Sequence, residues 1–93
     1  MLDVIAMGGA VFDFGIVLRK MPGFNENGDV LSVSWQGGGK VATGVVATAR
    51  LGGKCAYYGA CGGSVGEFII NDFVRHGIDV SHIYRHDDQE SVL

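Results

Sequence analysis

The sequence lacks a basic stripe, an apolar run long enough to cross a membrane, and the basic start of a secretory signal. Its 93 residues carry a formal net charge of -3, so nothing favours nucleic acid or an anionic membrane surface as a partner. The chain begins with an apolar segment that contains Asp3 and no lysine or arginine. These absences predict a cytoplasmic protein without nucleic-acid or membrane partners.

Cysteine is scarce, and the histidines are not spaced as metal ligands. The two cysteines, Cys55 and Cys61, lie on one predicted strand and just beyond its end, roughly 20 Å apart at the usual strand rise. We therefore expect free thiols packed as small apolar groups. His82 and His86 lie in a non-helical segment, so their separation by four residues does not bring them together. The sequence predicts no metal site.

Apolar patterning and turn residues predict alternating strands and helices. The nearly continuous apolar segment 2–7 suits a strand buried on both faces, as in a parallel sheet. The other predicted elements are a half-exposed hairpin with strands at 16–20 and 30–35, a helix at 40–51, a strand at 55–60, a helix from a Ser64/Glu67 capping box to about 76, and an extended segment at 78–85. A polar turn at 86–90 then precedes 91–93, which resembles the start of another strand. This order predicts an α/β fold with a right-handed strand–helix–strand unit.

The glycine-rich run GGGKVATGVVATARLG, residues 37–52, joins a predicted strand to a helix of small residues. Glycines let the backbone approach a bound molecule, and the first amides of a helix have no intrahelical acceptors, so this junction is suited to a ligand. A phosphate-binding P-loop is excluded, because Ser34 and Val41 stand where that motif needs glycine and serine or threonine. A dinucleotide fingerprint is met in part by Gly37 and Gly39, but the next predicted strand ends without the acid that holds a ribose hydroxyl.

A third interpretation combines the glycine-rich run with Asp13. In a parallel α/β sheet, ligands bind at the carboxyl ends of the strands, where Asp13 and the start of the Lys40 helix are both expected. A carboxylate accepts hydrogen bonds from vicinal hydroxyls, and helix-end amides suit the remaining oxygens. The pattern therefore indicates a polyol site. Without further context, Asp13 also fits a turn or cap residue, and Lys40 a solvated lysine in the first turn of a helix.

Several motifs along the chain match one known family. They are GxxxxD at 8–13, a proline- and glycine-bearing hairpin at 21–35, GGKxx at 38–42 entering AxARLG at 47–52, YxGACG at 57–62, and HGIDVS at 76–81. Together they make the chain resemble the ribokinase or PfkB-type carbohydrate kinases over essentially its whole length. The resemblance implies a ribokinase-like α/β fold, a Rossmann-like three-layer sheet with a β-hairpin lid.

The resemblance also predicts the domain organisation. Residues 1–93 would form the N-terminal part of one ribokinase-like domain, and the hairpin at about 14–36 would cover the sugar and make a homodimer contact. A doubly wound sheet needs more strands than the sequence predicts, so we expect the chain to be about the first third of a larger domain.

For function, the resemblance implies ATP-dependent phosphorylation of a hydroxyl on a sugar or nucleoside-like substrate, with Mg²⁺ expected in the complete protein. The substrate-binding residues that match the family's motifs are Asp13, Gly38, Gly39, Lys40 and Thr43. The family usually has asparagine in place of Thr43 and an acidic pair in place of Gly63–Ser64. Threonine keeps a hydroxyl but loses the paired donor and acceptor of the amide, so the sugar contacts must differ. The catalytic base is expected beyond this chain.

The alternative is a non-catalytic binding or dimerisation module. A short α/β chain would expose apolar sides of its outer strands, and such surfaces pair with another chain or aggregate. The half-exposed hairpin would also suit dimerisation.

Overall fold

A computed structural model describes residues 1–86 and 89–91. The described residues form five strands and two helices, in the order β1 Val4–Met7, β2 Val11–Leu18, β3 Val30–Gly38, α1 Lys40–Arg50, β4 Cys55–Gly62, α2 Gly63–Arg75 and β5 Ile83–His86. Among these elements, no helix is both long and apolar enough to cross a membrane. The α/β prediction is confirmed, and both helices end within one residue of their predicted ends.

A parallel sheet of order β1-β4-β5 forms the body of the molecule. Its register pairs Val4 with Cys55 and Gly59 with Ile83. Both crossovers step in the same direction along the sheet, so right-handed connections place α1 and α2 on one face. The core lies between these helices and the face of β4 that carries both cysteines, which are buried free thiols as predicted.

A separate antiparallel hairpin, β2-β3, extends from this body. The prediction that its first strand spans 16–20 is wrong: β2 begins at Val11 and ends at Leu18. The strand starts earlier because Val11 and Phe12 pair with Gly38 and Gly37 on β3. Asp13 therefore lies inside a hairpin strand rather than in the segment that ends the first strand of the parallel sheet.

The predicted Ser64/Glu67 capping box at the start of α2 is wrong. Gly62 is the cap residue, and no side chain of the local segment caps the helix. The Val65 amide instead donates to the Glu90 carboxylate at 2.6 Å, and the Ser64 hydroxyl lies 3.4 Å from the same oxygen. A carboxylate from a segment 25 residues later thus satisfies the helix start, a contact that no local motif could reveal.

The segment after α2 is more regular than predicted. Within the expected extended segment, β5 pairs with β4 in parallel. Ser91 exchanges backbone and side-chain hydrogen bonds with Gly62: its amide donates to the Gly62 carbonyl at 2.9 Å, and its hydroxyl accepts from the Gly62 amide at 2.8 Å. The expected turn at 86–90 and strand start at 91–93 fall partly on residues 87, 88, 92 and 93, which lie outside the described residues.

Candidate functional site

Two glycine pairs meet where β1 turns into β2 and where β3 turns into α1. We call these four residues, Gly8, Gly9, Gly38 and Gly39, the glycine corner. The Ala42 amide in the first turn of α1 donates to the Gly9 carbonyl at 3.1 Å. Gly39 has φ of 95°, and a Cβ there would lie 2.7 Å from the Gly9 oxygen. Only glycine fits this position, because both the backbone conformation and the close approach exclude a side chain.

Asp13 lies beside this corner on β2. It pairs with Gln36 across the hairpin, and its side chain lies on the same face as Gly38. The three heavy atoms nearest to a Cβ built at Gly38 all belong to the Asp13 carboxyl group, and that Cβ would overlap them. The Asp13 carboxylate therefore occupies space that a side chain at position 38 would fill.

The Asp13 carboxylate is available for a ligand. Asp13 is exposed, and none of the side-chain hydrogen bonds or ion pairs within residues 1–86 and 89–91 uses its oxygens. A carboxylate whose oxygens receive no hydrogen bond from the protein can accept hydrogen bonds from the hydroxyl groups of a bound molecule. The predicted proximity of Asp13 and the glycine pair is thus present, although Asp13 reaches it from the hairpin.

Thr43 and Lys40 lie on α1 and not on the hairpin strand that carries Asp13. Lys40 is the first residue of α1 and is exposed, whereas Thr43 lines a groove between α1 and α2. This groove has a volume of about 240 Å³, and its lining includes Gly38 but neither Asp13 nor Lys40. The five predicted site residues therefore gather around the glycine corner but do not line one cavity.

One side of that groove is lined by charged and polar side chains of α2 that contact Asp72, and these were not predicted from the sequence. The Arg75 guanidinium donates to the Asp72 carboxylate, and His76 Nδ1 lies 2.8 Å from the Asp72 carbonyl oxygen. The Asp72 carboxylate also lies 2.7 Å from the position of a Cβ on Gly37. The spacing of these three residues on one helix, at i, i+3 and i+4, was the signal that could have indicated the cluster.

A second cavity of about 240 Å³ lies at the carboxyl ends of β4 and β5, lined by Cys61, Glu67, Arg85 and His86 among others. Glu67 and Arg85 form an ion pair of 3.0 Å across its rim. Burial raises the pKa of the Cys61 thiol, while a hydrogen bond to Ser91 and the charge of Arg85 partly oppose this. The thiol therefore stays protonated at neutral pH and is a packing group rather than a nucleophile.

The comparison with protein families shows to which family the chain belongs. Residues 1–92 match the pfkB family of carbohydrate kinases. The chain belongs to this family. The match covers the glycine corner, the hairpin and both helices together, so the resemblance drawn from the motifs is confirmed.

Comparisons with individual proteins agree with this assignment. The chain is 32% identical over 82 residues to mouse (Mus musculus) ketohexokinase, covering 87% of this chain and 28% of that protein. A PfkB protein from Polaromonas sp. JS666 superposes with a TM-score of 0.76 at 28% identity, covering 98% of this chain and 29% of the other. Fructokinase from Xylella fastidiosa gives a TM-score of 0.72 at 25% identity, covering 95% and 26%.

These matches confirm a ribokinase-like fold and show how much of it is present. The chain spans less than a third of the length of each relative it matches. Of the three layers expected of this fold, the described residues form the sheet and the helical layer on one of its faces.

Proposed function

We propose that the complete protein transfers a phosphoryl group from ATP to a hydroxyl of a sugar or related nucleoside-like substrate, and that this chain supplies acceptor-binding and lid elements. The supporting observation is the exposed Asp13 carboxylate placed over Gly38 beside the start of α1. Similarity to ketohexokinase and fructokinase supports a sugar as acceptor.

In this proposal each site residue has a physical role. The Asp13 carboxylate accepts hydrogen bonds from substrate hydroxyls and so orients the sugar for transfer. Gly38 and Gly39 allow the sugar to approach the backbone, and Lys40 contributes positive charge beside the substrate. Thr43 offers one hydroxyl from the groove side. Phosphoryl transfer depends mainly on such positioning and on charge stabilisation.

ATP and Mg²⁺ are proposed for the complete protein and not for residues of this chain. A structure of the fructokinase from Xylella fastidiosa, matched at 24% identity, contains bound ATP. Among residues 1–86 and 89–91, however, no three His, Cys, Asp or Glu side chains gather as a metal site. We therefore assign no residue of the described part of the chain to a magnesium ion. The cytoplasmic location stays a prediction.

The experiment is substitution of Asp13 in the complete protein. Asp13→Ala should raise the KM for the acceptor sugar by about tenfold to a hundredfold, because a hydrogen bond to a charged group is lost, while the KM for ATP changes little. Glu67→Ala is the control, since Glu67 is an exposed carboxylate on α2, outside the hairpin, and pairs with Arg85 at 3.0 Å. Unchanged acceptor kinetics in Asp13→Ala would exclude the assigned role.

We also propose that the hairpin at about 14–36 is a lid and a homodimer contact. One of its faces carries large apolar side chains that are all about half exposed: Phe14, Ile16, Leu31, Val33 and Trp35. The other face at the same level carries Gly15, Ser32 and Ser34, with Val17 as its exposed apolar residue. Burying the apolar face against a second copy would remove it from water.

Sedimentation of the complete protein tests this contact. Ile16→Lys should convert a dimer into a monomer, because a charge would be buried in the interface. Val17→Lys is the control, as Val17 is equally exposed but points to the opposite face, opposite Ser32. A wild-type monomer, or dissociation by both variants alike, would contradict the proposed contact.

A further inference from the structure

Tyr57 connects the central strand of the parallel sheet to the glycine corner. Its ring is buried, with 3% of the residue exposed, and packs against Phe73 of α2 with ring centroids 4.9 Å apart. Its hydroxyl donates a hydrogen bond to the Gly8 carbonyl. The side chain thus runs from the core to the backbone that leaves β1.

The Gly8 carbonyl lies beyond the end of the β1-β4 ladder, so its hydrogen-bond donor must come from elsewhere. The β1-β4 register stops at the pair Met7 and Tyr58. Gly8 then adopts φ of 147° as the chain passes into β2, which belongs to the other sheet. Beyond β1, the described hydrogen bonds that hold the Gly8–Gly9 carbonyls are those from the Tyr57 hydroxyl and the Ala42 amide.

This turn connects β1 to the strand that carries Asp13. β2 begins two residues after Gly9 and carries Asp13, whose carboxylate lies over Gly38. Gly39 packs back against the Gly9 carbonyl. A shift of the Gly8 carbonyl would therefore move both the strand that carries the carboxylate and the backbone over which it lies. Burial raises the pKa of the Tyr57 phenol, so the hydroxyl stays a donor throughout the neutral range.

We propose that Tyr57 is a positioning residue of the acceptor site, whose hydroxyl holds the Gly8–Gly9 turn and thereby the Asp13 carboxylate. This inference rests on the proposed kinase function for its consequence in catalysis. The hydrogen bond and its effect on the turn do not depend on that function.

The kinetic test is Tyr57→Phe in the complete protein, which removes the hydroxyl and keeps the buried ring. The KM for the acceptor sugar should rise about threefold to tenfold, as expected for one lost neutral hydrogen bond, while the KM for ATP stays within about twofold. Tyr58→Phe is the control: Tyr58 is the neighbouring tyrosine, on the opposite face of β4, with its ring stacked on His82 at 4.4 Å.

A double-mutant cycle tests whether Tyr57 acts through Asp13. In the Asp13→Asn background, Tyr57→Phe should change the acceptor KM by less than half of its effect in the wild type, on a logarithmic scale. Full additivity of the two substitutions would show that the tyrosine does not act through the carboxylate and would overturn the proposal.

Hydrogen exchange provides a readout that needs no activity. In Tyr57→Phe, the Ala42 amide and the amides of residues 8–13 should exchange about threefold to tenfold faster, with the amides of α2 unchanged. If the protein phosphorylates no sugar, the kinase function fails and this measurement still decides the role of the hydroxyl. If the protein is a sugar kinase but Tyr57→Phe leaves exchange and acceptor KM unchanged, only the role of Tyr57 is refuted.

Discussion

At the scale of single residues, Gly38 and Gly39 of the glycine corner differ in the atoms that a side chain would meet. A side chain at Gly39 would meet backbone atoms and an unfavourable φ, so substitution there would disturb the fold itself. At Gly38, the three heavy atoms nearest to a new Cβ all belong to the movable carboxyl group of Asp13. The two neighbouring glycines therefore have different physical reasons for being glycine.

Gly38→Ala should separate binding from stability. The new methyl group would displace the Asp13 carboxylate, so the acceptor KM should rise about tenfold through loss of its charged hydrogen bonds, while the melting temperature falls by no more than a few degrees. Gly44→Ala is the control, because the site in α1 is open and no atom lies within 4 Å of its Cβ. That variant should be more stable by about 0.5–1 kcal/mol with unchanged kinetics. A Gly38→Ala protein with normal acceptor kinetics would contradict the placement of the carboxylate.

The buried Cys61 thiol predicts a loss of stability in alkaline solution. Its pKa is raised above 9.0 by burial, so the folded state holds this proton more tightly than the unfolded state. The corresponding stability is complete below the unfolded pKa and is lost as pH rises through the folded pKa.

Urea unfolding of wild type and Cys61→Ala at about pH 8 and about pH 10 measures how the Cys61 thiol contributes to the free energy of unfolding. The alanine variant should be less stable at the lower pH, because the packed sulfur is lost, but its free energy of unfolding should fall less between the two pH values. Burial raises the Tyr57 pKa as well, so some alkaline loss should persist in both proteins. Equal losses would mean that the thiol does not contribute.

At the scale of elements, the start of α2 is completed by a distant carboxylate. Gly63 has φ of 65°, and a Cβ there would overlap the Glu90 carboxylate. Glu90 places negative charge at the helix N-terminus, where it interacts favourably with the free amides.

Glu90→Ala should destabilise the complete protein by about 1 kcal/mol, since the Val65 amide loses its acceptor and the helix loses a favourable charge. Glu90→Gln should cost less, because one acceptor oxygen remains. Glu67→Ala is the matched control: its ion pair with Arg85 is about half exposed, and such pairs contribute about 0–1 kcal/mol. Denaturant titration measures all three, and a Glu90→Ala loss no larger than that of Glu67→Ala would refute the cap.

At the scale of the whole molecule, the face of the parallel sheet opposite the helices is apolar and exposed. Its side chains include Ile5 and Met7 of β1 and Tyr84 of β5. Apolar surface of this kind normally packs against another layer or another chain. In the complete protein, we expect further elements of the ribokinase-like fold to cover it.

The 93-residue chain produced alone should therefore self-associate and bind an apolar dye. Sedimentation over a concentration series measures the association. Ile5→Lys should reduce it without affecting the buried side of the sheet, whereas Lys54→Glu, a change of charge at an exposed site preceding β4, should have little effect. A monodisperse monomer with cooperative unfolding would contradict this expectation, and stable dimers of defined geometry would favour the binding or dimerisation module.

Much of the fold could be predicted from the sequence, because its signals are local. The spacing of small apolar residues from Lys40 and the glycines after Arg50 indicated α1 within one residue of its observed end. The turn residues around Pro22 placed the hairpin, and its second strand was predicted from Val30 as observed. Contacts between distant segments could not be predicted: the start of β2 depends on pairing with Gly37, and the cap of α2 comes from Glu90.

The sequence by itself determined the family, the order of elements and the identity of the residues around the glycine corner. Periodicity, turn chemistry and motif spacing are properties of neighbouring residues, so they can be read along the chain. Only the tertiary structure decided that Asp13 lies on the hairpin with its carboxylate over Gly38, that Thr43 lines the groove between α1 and α2, and that the Tyr57 hydroxyl holds the Gly8 carbonyl. The reason is that sheet register and the packing of helices on a sheet bring together residues whose separation along the chain carries no information about their distance in space.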